Sequence, residues 1–306
     1  MLKKKIIFLL GPTGIGKSAV AISLAKKINA QIISCDSMQV YRRMNILTCA
    51  VTAAQRKKVK HHLIGIISPE QKYNVARYRR EALAICAKIF AQGKIPLFVG
   101  GTGLYYSIIV DGLFPAVPED KLIRARLTRQ LKVQGSRYLY RRLANLDPLA
   151  ASKIHPHDAK RIMRALEVYL KTGTPISQLQ QARVGLGKEY RIKIFGLNLK
   201  RQLLYAKIDQ RVEKMFSRGL VCEVKRLLKQ KLSLTAKSAI GITELKGYFA
   251  GRYPLAESQR LIQRNSRHYA KRQLTWFRKD KRIQWININQ QESPAQIAFK
   301  LWKKLS

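Results

Sequence analysis

The 306-residue sequence predicts an α/β protein, a parallel sheet covered by helices and interrupted by a mainly helical insertion. Three observations carry this expectation. The apolar run IIFLL leads directly into GPTGIGKS, Gly11 to Ser18, and then into the alanine-rich AVAISLAKKINA. Two more strand-like runs follow, QIISCDSMQVY from Gln31 and KIPLFVGGTGLYY from Lys94, each ending in polar turn residues. From Lys121 to Leu146 the texture changes, with eight Lys or Arg and no acidic residue.

Each element has a local reason. GPTGIGKS fits the glycine, four residues, glycine, lysine, serine pattern of a phosphate-binding loop, so the core is expected to be P-loop NTPase-like. Gly11, Pro12, Thr13, Gly14, Ile15, Gly16, Lys17 and Ser18 would form the anion cradle. Its glycines allow close backbone approach, the following helix presents its positive end, Lys17 adds a charge and Ser18 a hydroxyl for Mg²⁺. Asp36 ends the second apolar run. In a parallel sheet it would stand beyond the carboxyl ends of the strands, beside the loop and the Gly100-Gly101-Thr102-Gly103 turn. There it can hold Mg²⁺ through water or accept a proton; it can equally cap the next segment. Gln39 and Tyr41 offer contacts to a base. Thr102 is open between an anion contact and a plain turn, and Arg211, near Asp209 and Glu213, between a ligand contact and a solvated helix position.

Around Pro115 and Pro118 the chain is expected to leave the core, giving a core of residues 1–117 and 191–306 and an inserted helical unit of 118–190. Within it Asp158 can cap a helix carrying Ile162, Leu166 and Val168, which Gly173 and Pro175 would end. RIKIFGLNL returns the chain to the sheet, helices are expected over 200–230 and 255–277, and IQWININ reads as a short strand.

Sixty Lys and Arg against 17 Asp and Glu leave a formal charge of +43, which favours a polyanionic partner, although a general basic bias also contributes. Arg260, Arg264, Arg267 and Lys271 recur at spacings of four, three and four, placing cations along one helix face. KRQLTWFRK follows, its Trp276 and Phe277 read as core and its cations as RNA-facing. Cys35, Cys49, Cys86 and Cys222 are scattered too widely for a zinc site and read as reduced thiols. No apolar run is long enough to span a bilayer, so no membrane partner and a cytoplasmic location are expected.

Taken in order, GPTGIGKS, DSMQVY at 36–41, HHLI at 61–64, GGTGLY at 100–105, HPHDAKRIMRALEVY and KRQLTWFR resemble the tRNA dimethylallyltransferases, also called tRNA isopentenyltransferases, over nearly the whole chain. The resemblance implies transfer of a dimethylallyl group from dimethylallyl diphosphate to the exocyclic amine of the adenosine 3′-adjacent to the anticodon, with Mg²⁺ as cofactor and a monomeric enzyme acting on the anticodon stem-loop of tRNA. It implies Asp36 as general base, Thr102 and Arg211 on the diphosphate, Lys17 against leaving-group charge and Ser18 on Mg²⁺. It further implies tRNA contacts from Asp36, Ser37, Met38, Gln39 and Thr102, from Arg124, Lys160, Arg161, Ile162, Met163 and Arg164, and from Lys271, Arg272, Gln273 and Arg278. The chain departs from the family pattern at RMNILTCAV, where a GMDIGTAKP-like segment is usual, at IGITE, where IGYRE is usual, at Gly14 and Ile15, and at Lys160. The alternatives are a P-loop nucleotide or small-molecule kinase using ATP, and a non-catalytic RNA-binding protein keeping the phosphate-binding fold.

Overall fold

In the computed structural model, residues 3–114 and 117–305 are described; Pro115, one of the expected boundary markers, lies outside them. The chain divides into two compact units, residues 110–186 and the remainder, so the inserted unit begins and ends earlier than 118–190.

The larger unit is built on one sheet of six parallel strands in the order β3-β2-β4-β1-β5-β6. Its first half contains β1 (Lys5–Leu10), α1 (Lys17–Lys27), β2 (Ala30–Cys35), α2 (Ala53–Lys58), β3 (His61–His62), α3 (Val75–Ala91), β4 (Ile95–Gly100) and α4 (Gly103–Val110). Ile6 through Leu10 are all fully buried, as a central parallel strand covered on both faces requires. β1 aligns Leu10 with Gly100 of β4, and β4 aligns Gly100 with Cys35 of β2. Because these three neighbours run in one direction, the turns that follow them leave from the same sheet edge.

The second expected βα unit is different. After Asp36 the chain passes through turns, the six-residue α2 and the two-residue β3 before α3 begins. Positive φ at Arg43 (61°), Cys49 (46°) and Leu63 (60°) prevents a helix from continuing through this stretch. Asn74 then caps α3, its side chain accepting the Arg77 N–H at 2.9 Å.

At the sheet edge, His62 meets Gln31 Oε1 at 2.8 Å, and Gln31 in turn reaches Gln92 at 2.7 Å. Burial, with Lys60 and His61 adding repulsion, lowers the His62 imidazole to about 4. A histidine protonated less readily when folded stabilises the fold above its ordinary pKa and loses that contribution as pH falls from 6.5 toward 4. Since His62 is only half-buried, the expected loss is about 1 kcal/mol after allowance for solvent screening. Denaturation midpoints across this range should fall in the parent protein and fall less in His62→Gln; parallel curves would exclude this account.

The inserted unit contains α5 (Lys121–Leu146), α6 (Pro148–Ala151), α7 (Ala159–Thr172) and α8 (Ile176–Gln181). Asp158 caps α7 by accepting the Arg161 N–H, and Gly173 ends it with a left-handed φ of 69°. The long basic helix is broken at Gly135, whose φ of 77° and ψ of 173° are not helical. Leu127, Leu139, Leu143, Ile162 and Leu166 form the unit's core. Glu167 is fully buried there: burial alone would raise its carboxyl, but Arg124 at 2.9 Å, Arg164 at 2.7 Å and the Asp120 N–H hold it below the usual range.

The remainder of the larger unit follows a 3₁₀ turn at Leu186–Lys188. It comprises β5 (Arg191–Asn198), α9 (Arg201–Ser217), α10 (Leu220–Leu228), α11 (Leu234–Lys237), α12 (Ile242–Phe249), α13 (Leu255–Arg278), β6 (Gln284–Asn287) and α14 (Pro294–Lys303). The single helix expected over 200–230 is two, because Gly219 takes a φ of 91° between α9 and α10. Helices α11 and α12 were not legible beforehand. Among the described residues no helix is long and apolar enough to cross a membrane.

Candidate active site

Three turns meet at the carboxyl edge of the sheet. The first is the glycine loop between β1 and α1. Among the described residues, the N–H groups of Gly14, Gly16, Lys17 and Ser18 meet no acceptor, and no side chain caps α1. Unfilled amides at an uncapped helix start form an anion cradle. Gly14 is required there: its φ is 82°, and a Cβ would stand 2.6 Å from Ile208 Cγ1.

Lys17 lies across this loop, its Nζ donating to Gly11 O at 2.9 Å and Pro12 O at 2.8 Å. Burial lowers its ammonium to about 8 against the opposing pull of Asp36, and Arg211 adds to the lowering. Arg211 of α9 donates to Thr13 Oγ1 and, through Nε, to Cys49 Sγ at 2.9 Å. The cradle thus has two cations beside its free amides.

The second turn carries Asp36. Its Oδ1 accepts the Met38 N–H at 2.9 Å and the Gln39 N–H at 3.4 Å, which fixes the carboxylate. Oδ2 has no hydrogen-bond partner among the described residues. Asp36 therefore caps the local turn with one oxygen and keeps the other available for a proton.

Thr102 stands in the third turn, where its hydroxyl has partners within the protein. Its hydroxyl accepts the Ser37 N–H at 3.1 Å and its own N–H donates to Cys35 O at 3.1 Å. These contacts staple the third turn to the second, and the Thr102 side chain also hydrogen-bonds Tyr269, which lines both cavities described below. Gln273, expected against tRNA, is buried. Its Oε1 accepts the Thr13 N–H at 2.9 Å while its Nε2 donates to Gly101 O at 2.8 Å. A Cβ on Gly101 would come within 2.2 Å of that amide nitrogen, so the glycine makes the bridge possible.

Gln273→Ala would orphan a backbone donor and a buried carbonyl, costing roughly 1–3 kcal/mol. For the substrates that the family resemblance implies, binding of the prenyl diphosphate should weaken with it while tRNA affinity changes little; for exposed Lys271→Ala the reverse is expected. Denaturant titration and separate binding curves for the two substrates would show the contrast. Equal effects on both substrates from either substitution would refute it.

Two cavities open among these turns, of about 330 and 310 Å³. They share Thr13, Asp36, Thr48, Arg211 and Tyr269. The first reaches the glycine loop, including Lys17 and Ser18; the second is walled by Ser37 and Met38 and by apolar groups such as Leu47, Ile208, Val212 and Ile262. One crevice is suited to phosphate and its neighbour to an apolar chain or ring. Asp36 lies between them.

Tyr269 was missed in the sequence reading. It lies four residues before Gln273 on α13, and Ile262, Ser266, Tyr269 and Gln273 form the inward face of that helix. Burial and the Asp36 carboxylate raise its phenol to about 12, against a hydrogen bond with Thr102. Arg272 lies over its ring at 5.7 Å. The pattern of four, three and four that marked the outer cations also marks this inner face, and that was the available signal.

Other expected nucleic-acid contacts divide by exposure. Lys160, Arg161, Lys271, Arg272 and Arg278 are exposed, Met163 is half-buried and Ile162 is fully buried in the core of the inserted unit, so Ile162 cannot touch a partner. Arg124 and Arg164 hold Glu167. On the α13 stripe, Arg260 pairs with Glu257 at 2.6 Å and Arg267 with Asp209 at 2.5 Å, so two of the four cations on that helix face are already paired within the protein. Trp276 packs against Gly103 and Phe277 is fully buried.

Among described residues no three His, Cys, Asp or Glu side chains converge as a metal cage. Ser18 Oγ makes no hydrogen bond among the described residues, and a hydroxyl beside a phosphate cradle suits Mg²⁺, which binds mainly through ligand phosphates and water.

Comparison with known proteins finds relatives over nearly the whole chain. Residues 39–280 match the family model described as IPP transferase, and residues 4–66 match the one described as isopentenyl transferase. The chain is 46% identical to the tRNA dimethylallyltransferase of Carboxydothermus hydrogenoformans over 98% of its length and 97% of the relative's. It is 45% identical to that of Thermotoga maritima over 93% and 92%. Among solved structures, the full-length tRNA isopentenylpyrophosphate transferase of Bacillus halodurans superposes with a TM-score of 0.72 at 35% identity, covering 99% of this chain and 97% of that one. A eukaryotic dimethylallyltransferase acting on tRNA superposes with a TM-score of 0.77 at 28% identity, covering 93% and 74%.

Proposed function

The chain belongs to the tRNA dimethylallyltransferase family, and from that premise we propose how its residues divide the reaction. It transfers the dimethylallyl group of dimethylallyl diphosphate to tRNA and releases diphosphate. Kinase chemistry would use the same cradle, but the curated relatives are prenyltransferases over nearly their full length.

The diphosphate rests on the free amides of the glycine loop, with Lys17 and Arg211 beside it. The acceptor is the exocyclic amine of the adenosine 3′-adjacent to the anticodon, presented by the stem-loop, where unpaired bases cost little to extrude. That base enters the second cavity past Ser37, Met38 and Arg272. As the amine nitrogen bonds to the prenyl carbon, the carbon–oxygen bond breaks, the electron pair leaves with the diphosphate, and the amine proton passes to Oδ2 of Asp36. An adenine amine is a poor nucleophile, so a fixed carboxylate at the junction of two cavities is the observation that carries this reading. Mg²⁺, held by Ser18 and the donor phosphates, would supply further charge neutralisation when bound.

Exposed cations of α7 and α13, including Lys160, Arg161, Lys271 and Arg278, give tRNA its non-specific hold. The enzyme would act as a monomer in the cytoplasm. Incubation with labelled dimethylallyl diphosphate, Mg²⁺ and unmodified tRNA should place label on that adenosine. Label passing only to a small acceptor with ATP, or no transfer from an active preparation, would reject the reading.

A further inference from the structure

Along α9 and its C-cap, Lys207, Arg211, Lys214 and Arg218 recur at spacings of four, three and four and so share one helix face. This face and Arg56 of α2 line a groove of about 850 Å³ that opens beside Gly14 and Ser18. No Asp or Glu contributes to its lining. Among the described residues, no carboxylate pairs with Lys207, Lys214 or Arg218, whereas the stripe on α13 has two such partners. Like charges at this spacing repel one another, so the α9 face is the one that calls for an external anion. Arg211 borders both the groove and the phosphate crevice.

We propose that this groove is a second diphosphate site, an outer station at which the prenyl diphosphate docks before entering the cradle and through which inorganic diphosphate leaves. The proposal rests on the prenyl-transfer reading for its role, though not for the binding itself. The groove is larger than the 330 Å³ crevice and accommodates a hydrated diphosphate. Through Arg211 a compact anion passes from one site to the other without leaving the positive field, and clustered charge of one sign raises local anion concentration and association rate. A ridge of exposed cations would suit an RNA backbone; a concave groove joined to the cradle suits a small anion.

The test is calorimetric titration of the intact protein with inorganic diphosphate and Mg²⁺, in the parent and in a Lys214→Gln, Arg218→Gln double variant. Both residues are exposed and lie outside the cradle, so folding should be unaffected. The parent should bind two diphosphates per chain and the variant one. In transfer assays the variant's kcat/KM for the donor should fall about fivefold or more with a flatter salt dependence, its kcat and tRNA affinity unchanged. A single diphosphate in both proteins would overturn the proposal. So would loss of tRNA affinity with intact donor kinetics, which would give the groove to RNA. Two diphosphates bound by a protein that transfers no prenyl group would leave the groove standing and remove the transfer reading instead.

Discussion

Replacing Asp36 by asparagine is expected to lower kcat for prenyl transfer by about 10²- to 10⁴-fold, the usual contribution of a positioned base. Asparagine is the informative substitution because of how the carboxylate is held. Its amide oxygen can still accept the Met38 and Gln39 N–H groups at the Oδ1 position, preserving the turn. Only the charge and basicity at the second oxygen are lost. Donor KM and tRNA affinity should therefore stay within about twofold of the parent, as expected when an interaction formed in the transition state is removed. Asp36→Ala should lose as much activity and in addition about 1 kcal/mol of stability, because two backbone donors lose their acceptor. Separate measurement of kcat, both substrate affinities and the denaturation midpoint distinguishes the two. A large rise in tRNA dissociation constant for Asp36→Asn would mean that the carboxylate binds substrate and is not the base.

Lys17→Met should reduce kcat/KM for the prenyl donor by about 10²- to 10³-fold, comparable to removing one preorganised donor from a developing anion. Its effect on stability should depend on pH. The Lys17 ammonium is buried, and its pKa lies at about 8 instead of 10.5. Below pH 8 the group is charged in both folded and unfolded chains, so the folded state bears the full desolvation penalty; as pH rises from 8 to 10.5 the folded state sheds its proton first and the penalty disappears. At neutral pH the methionine variant should accordingly be spared this penalty but lose the hydrogen bonds to Gly11 O and Pro12 O, so the two proteins differ most clearly in the pH slope of their stability. The parent should gain stability across that alkaline range while the variant does not. Denaturant titrations at several pH values, paired with donor kinetics, check both statements. A parent that gains no stability between pH 8 and 10.5, or a variant that gains as much, would contradict the account.

Much of this was legible in the chain because the strongest signals are local. The apolar run, glycine loop and alanine-rich helix specify one another within about two dozen residues, and the parallel sheet follows from repeating that pattern. Asp36 was legible for the same reason, since a carboxylate ending a buried strand has few places to go. What was not legible depends on residues distant in sequence. Thr102 and Ser37 meet only because β4 lies beside β2. Gln273 lies 260 positions from Thr13 and still supplies the acceptor for its N–H. Single cations are hard to read for the same reason: Arg267 finds Asp209 on another helix, whereas Lys207, Lys214 and Arg218, set among ordinary helix residues, find no carboxylate among the described residues. The departures at RMNILTCAV are absorbed by a particular contact, the buried Glu223 carboxylate accepting the Ile46 N–H at 3.0 Å and the Leu47 N–H at 2.8 Å. At Arg43, standing where glycine is usual, the backbone keeps the left-handed φ of 61°.

The most direct test is a structure of the protein with a non-cleavable dimethylallyl diphosphate analogue, Mg²⁺ and an anticodon stem-loop. The diphosphate should lie on the Gly14–Ser18 amides with Lys17 and Arg211 against it, and the adenine amine should sit within hydrogen-bond distance of the second Asp36 oxygen, in line with the carbon to be attacked. An adenine held elsewhere, with Asp36 bonded only to its own turn, would contradict the account.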